Sequence, residues 1–136
     1  MAVVTRPFIL AIDDDPGRYD GLRQMLGDRV RLEVSSCDQC VLDDLAVADA
    51  VLLDHDLCAE SCTCGDWPTA ESTRHLVPHI VDRGVPVIVT SCSAHENRRW
   101  LTETLRTHNV QVVQHSANEI QPEYHWIGWL WRQGVL

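Results

Sequence analysis

The sequence predicts an α/β fold, a parallel sheet of five strands with helices on both faces. Phe8–Ile12, Ala50–Leu53 and Val85–Val89 are short, continuous apolar runs, as expected of central parallel strands covered on both sides. Val30-Arg31-Leu32-Glu33-Val34 alternates apolar and polar residues, and Val110-Gln111-Val112 begins to do so. Alternation marks half-exposed strands, which belong at the sheet edges. With the second and fifth strands outermost, the expected order is 2-1-3-4-5, that of a flavodoxin-like (βα)5 three-layer sandwich.

The helices carry their own signals. Leu22, Met25 and Leu26 form a stripe after Pro16. Thr73, Leu76, Val77, Ile80 and Val81 form another, which Pro78 is expected to kink. Ser93 and Glu96 have capping-box spacing ahead of Leu101 and Leu105. Asn118 and Gln121 open a last helix carrying Ile127, Leu130 and Trp131. Residues 1–136 read as one domain, interrupted only by a cysteine-rich insertion at 58–68.

Composition narrows the function. The 136 residues are 45% hydrophobic, enough for a real core. The longest apolar runs are too short to cross a bilayer, and the N-terminus lacks a signal-peptide pattern, so a soluble, cytoplasmic protein without membrane contact is expected. A net charge of −9 argues against an extended nucleic-acid surface, which needs a basic face. A compact phosphorylated ligand or an RNA end is compatible, because a divalent cation offsets carboxylates. All 11 basic residues are arginine, which excludes every lysine-dependent mechanism.

The two central strands that lead the chain end alike. Phe8–Ile12 runs into Asp13-Asp14-Asp15, and Ala50–Leu53 into Asp54-His55-Asp56. As parallel neighbours they bring these acids and an imidazole to the carboxyl edge of the sheet, where open α/β sheets bind ligands. Asp13, Asp14 and Asp54 offer the hard oxygen ligands that Mg²⁺ or Mn²⁺ prefers. With no lysine to offset them, cation binding is the expected relief of their repulsion. His55, flanked by Asp54 and Asp56, is expected to have its pKa raised and to shuttle a proton near neutral pH. Arg18 stands ready for phosphoryl oxygens. Asp15, next to Pro16, reads as a helix N-cap.

These residues resemble response-regulator receiver domains. ILAIDDDPGR (9–18), AVLLDHDL (50–57) and VPVIVTS (85–91) look like a receiver's first, third and fourth strands, and the resemblance spans nearly the whole chain. It implies that Asp13 and Asp14 are magnesium-binding acids, Asp54 the phosphoacceptor and Ser91 the hydroxyl switch residue. The receiver's fifth-strand lysine should fall near Gln114 and is missing. Asp54-His55-Asp56-Leu57 also resembles the motif of a receiver-derived family named for processing cyclic phosphates in RNA repair. Ser91, Asn97 and Arg18 match that family as well. Thr90 and Ser93 depart from it, standing where its histidine and asparagine would be.

The cysteines suggest metal or thiol chemistry before disulfides. Cys37 and Cys40 have CxxC spacing after the second strand, and Cys62 and Cys64 follow the third. Together they have the makings of a four-thiolate zinc site, although Cys62-Thr63-Cys64 is compressed for a zinc knuckle. Reduced thiols or a disulfide are the alternatives. Cys92 reads as simply buried. His75, His79 and His108 read as surface residues of helices, while His95 and His115 lie near the acidic edge. Trp126, Trp129 and Trp131 do not share one helix face, which suits either a homodimer through the last helix or an aromatic-filled core.

The leading expectation is a phosphoesterase that processes a cyclic phosphate, with His55, Asp54, Asp56, Arg18 and Ser91 as its catalytic set. The alternative is an atypical, non-catalytic receiver module that signals by binding a partner.

Overall fold

The computed structural model describes residues 6–13, 16–35, 37–55, 57, 72–90, 95–114 and 125–136. The strands are β1 (Phe8–Ile12), β2 (Arg31–Ser35), β3 (Ala50–Leu53), β4 (Val87–Val89) and β5 (Val112–Gln114). The helices are α1 (Asp20–Leu26), α2 (Asp38–Leu45), α3 (Val77–Arg83), α4 (His95–Thr107) and α5 (His125–Arg132). The sheet order is β2-β1-β3-β4-β5 and every pairing is parallel. This is the flavodoxin-like order expected from the apolar runs.

Side chains of a strand alternate between its faces, and the core divides accordingly. Leu10, Ile12, Val51, Leu53, Val87 and Val89 pack on one side with Val41, Leu45, Ile80, Leu101 and Leu105 of α2, α3 and α4. Ile9, Ala11, Ala50, Leu52 and Ile88 pack on the other with Leu22, Leu26 and Leu130 of α1 and α5. Both faces of β1, β3 and β4 are thus buried, which is why those strands read as unbroken apolar runs.

The boundaries differ from expectation for local reasons. β4 begins at Val87, because Val85 and Pro86 precede the ladder and Pro86 supplies only a carbonyl, which accepts from the Val51 N–H at 2.9 Å. β5 begins at Val112. Pro78 does not kink a helix. It sits in the first turn of α3, where its missing N–H costs nothing. The preceding Arg74–Leu76 form a separate 3₁₀ turn. Ser93, Asn118 and Gln121, expected to cap helices, lie outside the described residues, as do Asp15 and the 58–68 insertion. α2 is the helix for which the sequence offers no stripe among those picked out above, and Cys37 caps its N-terminus. His75, His79 and His108 are exposed, as expected. Trp129 is half-buried against the core, whereas Trp131 is 70% exposed. Among the described residues, no helix is long and apolar enough to cross a membrane.

Register positions the site. Ile12 stands opposite Leu53, and Leu53 opposite Val89. The Asp54 N–H donates to the Ile12 carbonyl at 3.0 Å, and the Thr90 N–H to the Leu53 carbonyl at 2.9 Å. The residues that follow the three central strands, Asp13, Asp54 and Thr90, therefore lie side by side on one edge.

The turn that follows α4 contains Asn109, a non-glycine residue in the left-handed region at φ 62°. The Asn109 N–H donates to the Arg106 carbonyl and the Val110 N–H to the Leu105 carbonyl, closing the last turn. Asn109→Val should lower stability by about 1–2 kcal/mol, the cost of forcing a side chain with a branched Cβ into that region. Asn109→Gly should lower it not at all. Urea unfolding of both variants checks this; equal loss in the two would show that the Asn side chain, not the backbone, sets the end of α4.

Candidate functional site

Asp13 is fully buried and Asp54 nearly so. A buried carboxylate needs a cation or several donors, because desolvating the charge alone costs several kcal/mol. The donors come from the 3₁₀ turn Pro16–Tyr19, which follows β1 closely. Arg18 Nη1 lies 2.8 Å from Asp13 Oδ2 and 3.3 Å from Asp54 Oδ2. Its Nη2 donates to the Thr90 carbonyl at 3.0 Å. One guanidinium thus ties together the ends of β1, β3 and β4. The chain has no lysine to offset these acids, and Arg18 takes that place.

Tyr19 completes the buried side of the site. Its hydroxyl donates to Asp13 Oδ2 at 2.7 Å and lies 3.4 Å from Thr90 Oγ1. With the phenol hydrogen committed to Asp13, the Thr90 hydroxyl is the donor in the second contact. Burial, reinforced by the adjacent Asp13 charge, holds the Tyr19 pKa well above the ordinary phenol value.

The other side is organised around His55. Asp54 Oδ1 accepts the His55 N–H at 2.9 Å. The fully buried Thr73 clamps this stretch, its Oγ1 donating to the Asp54 carbonyl at 2.6 Å and its N–H to the His55 carbonyl at 2.8 Å. That clamp brings up the next residue, Arg74, whose Nε donates to His55 Nε2 at 2.9 Å. Nε2 is therefore an acceptor, and in this arrangement the ring carries its proton on Nδ1. Arg74 is itself held by Asn97 Oδ1 at 3.3 Å and by the Trp100 ring, 4.2 Å below its guanidinium carbon.

Of the residues singled out in the sequence, Asp13, Asp54, His55 and Arg18 come together. Asp14, Asp56 and Ser91 lie outside the described residues. Cys37 and Cys40 sit together at the start of α2, their sulfurs 2.6 Å apart; Cys62 and Cys64 lie outside the described residues. Sequence reasoning missed Tyr19, Thr73 and Arg74. Tyr19 carries a signal in hindsight, since it adjoins Arg18. Thr73 and Arg74 carry none, because Arg74 reaches His55 from 19 positions along the chain.

For a divalent cation the carboxylates are the right donor type, and Asp14, the third expected ligand, lies outside the described residues. Asp13 Oδ2 already accepts from Arg18 and Tyr19, and Asp54 Oδ2 from Arg18, so an ion that takes those two oxygens has to displace the guanidinium. Gln114, where a receiver lysine would fall, ends β5 and lies 3.3 Å from Thr102 Oγ1.

Comparison with known proteins agrees on the fold. No protein-family model and no curated protein matches the chain. Among solved structures, the receiver domain of a Francisella response regulator superposes with a TM-score of 0.59 at 16% identity, over 95% of this chain and 99% of that one. The BeF3-activated DrrB receiver domain gives 0.58 at 15% identity, covering 96% of each. The non-phosphorylated HemR receiver domain from Leptospira biflexa gives 0.52 at 19%, covering 95% and 92%. The class defined by these likenesses is the receiver-domain fold.

Tyr19 supplies a test of the buried site. Because its folded-state pKa is raised above the unfolded phenol value of about 10, its contribution to stability is complete below that pH and is lost as pH climbs toward the folded value. In a spectrophotometric titration, one of the two tyrosines should ionise only as the protein unfolds. Tyr19→Phe should remove that phase. Normal ionisation of both tyrosines in the folded protein would refute the arrangement.

Proposed function

We propose that the chain is an atypical receiver module that signals by contacting a partner, with its acidic site held in a charge-neutralised state by Arg18. The observation that carries this reading is the position of the guanidinium, bonded to Asp13, Asp54 and the Thr90 carbonyl at once. It stands between the acid proposed as phosphoacceptor and the acid proposed to bind metal. The likeness to receiver folds supports a signalling role, and the absence of any lysine argues that phosphorylation-driven switching of the usual kind is lost.

On this reading, Mg²⁺ or Mn²⁺ binding at Asp13, Asp14 and Asp54 competes with Arg18. Calorimetric titration should show weak uptake by the wild type and at least tenfold tighter uptake by Arg18→Ala, with Asp13→Asn binding least of all. Acetyl phosphate should leave the tryptophan fluorescence and oligomeric state of the wild type unchanged. Tight metal binding by the wild type, or a large phosphorylation-dependent change, would restore the ordinary receiver mechanism.

A second reading, metal-dependent processing of a cyclic phosphate at an RNA end or on a nucleotide, is favoured by one observation. The His55 imidazole is oriented by Arg74, and Arg74 by Asn97. This aligns a proton-transfer group and a second guanidinium beside the acids. If this reading holds, the protein with Mg²⁺ or Mn²⁺ should open a 2′,3′-cyclic nucleotide to a monophosphate. His55→Ala should then lower turnover by about 10²–10⁴-fold, as for a positioned general acid or base. Absence of turnover with either metal would leave the partner-binding module standing.

A further inference from the structure

Cys37 and Cys40 form a thiol pair that the site above does not use. Cys37 caps α2: its backbone is extended at φ −149°, and its sulfur accepts the Cys40 N–H at 3.3 Å. This brings the two side chains onto one turn, three residues apart. The sulfurs are 2.6 Å apart, closer than the roughly 3.5–4.0 Å at which even smaller carbon atoms rest in contact. Both are thiols here. The two sulfurs are therefore in direct contact at the head of α2.

We propose that Cys37 and Cys40 are a reversible oxidation site, closing to an intramolecular disulfide by exchange with a small-molecule disulfide of the glutathione type. Exposure sets the order of events. Cys37 is 1% exposed, whereas Cys40 is only half-buried, so the incoming disulfide meets Cys40. The Cys40 thiolate attacks one sulfur of the reagent, forming a mixed disulfide and releasing one small thiol. The Cys37 sulfur then gives up its proton to solvent and attacks Cys40 Sγ, expelling the second small thiol. The protein loses two hydrogens, and the reagent is reduced to two thiols.

A bond across so short a loop restrains the unfolded chain little, which fits a reversible modification rather than a structural staple. Its position gives it something to act on. The intervening Asp38 binds His75 at 2.7 Å, and His75 directly follows the Arg74 that holds His55.

The test uses the full wild-type chain, equilibrated in buffers of varied reduced and oxidised glutathione, acid-quenched, alkylated and analysed by mass spectrometry. Cleavage before Asp38 separates the two cysteines, so a peptide pair joined through Cys37 and Cys40 identifies the bond. That pair should accumulate as the oxidised share rises and vanish with dithiothreitol. In Cys37→Ser, Cys40 should instead retain glutathione as a stable adduct, because the thiol at position 37 that expels it has been removed. Four outcomes in the wild type would overturn the proposal: full alkylation of both cysteines after oxidation, a glutathione adduct retained on Cys40, pairing with Cys58, Cys62, Cys64 or Cys92, or protection by bound zinc that a chelator reverses.

Discussion

The site depends on one constraint: a carboxylate, Asp13, with no solvent exposure at the end of a central strand. Burial removes the charge from bulk solvent, and the protein supplies donors in its place. Arg18 and Tyr19 do so from the turn that follows β1, and both give their hydrogens to the same oxygen. Because Arg18 also reaches Asp54 and the Thr90 carbonyl, neutralising one buried acid fastens the ends of three strands.

That solution shapes the chemistry of the edge. A guanidinium is permanently charged and carries several donors in a rigid fork, so it bridges two carboxylates and a carbonyl where a small cation would need waters to complete its shell. The acids so bridged are no longer a standing pair of repelling charges. An arginine held by the Thr90 carbonyl occupies one oxygen of each acid. Polar Thr90 belongs to the same network, contributing its carbonyl to Arg18 and its hydroxyl to Tyr19.

The opposite flank is built from a distant part of the chain. Thr73 fixes the backbone of Asp54 and His55, and so delivers Arg74 to the imidazole. A proton on Nδ1 and a guanidinium at Nε2 give His55 a defined orientation. The same short turn leads through His75 to Asp38 and the cysteine pair at α2. Two chemically different sites, an acid–arginine cluster and a dithiol, thus share one stretch of scaffold.

The sequence by itself determined the sheet. Runs buried on both faces and runs buried on one differ in hydrophobic period, and that difference separates β1, β3 and β4 from the edges β2 and β5. It also determined that Asp13 and Asp54 would meet, because parallel neighbours of similar length end together. Helix starts were less legible: Pro78 reads as a kink until its place in the first turn of α3 is known. What only the tertiary structure decided is who neutralises whom. Arg18 could be read from sequence as a ligand for phosphate, and only the register of three strands shows it satisfying two acids of the protein itself. Arg74 and Thr73 were invisible for the same reason. Periodicity reports which face of an element is buried, whereas the partner of a charge is set by elements that meet only once the chain has folded.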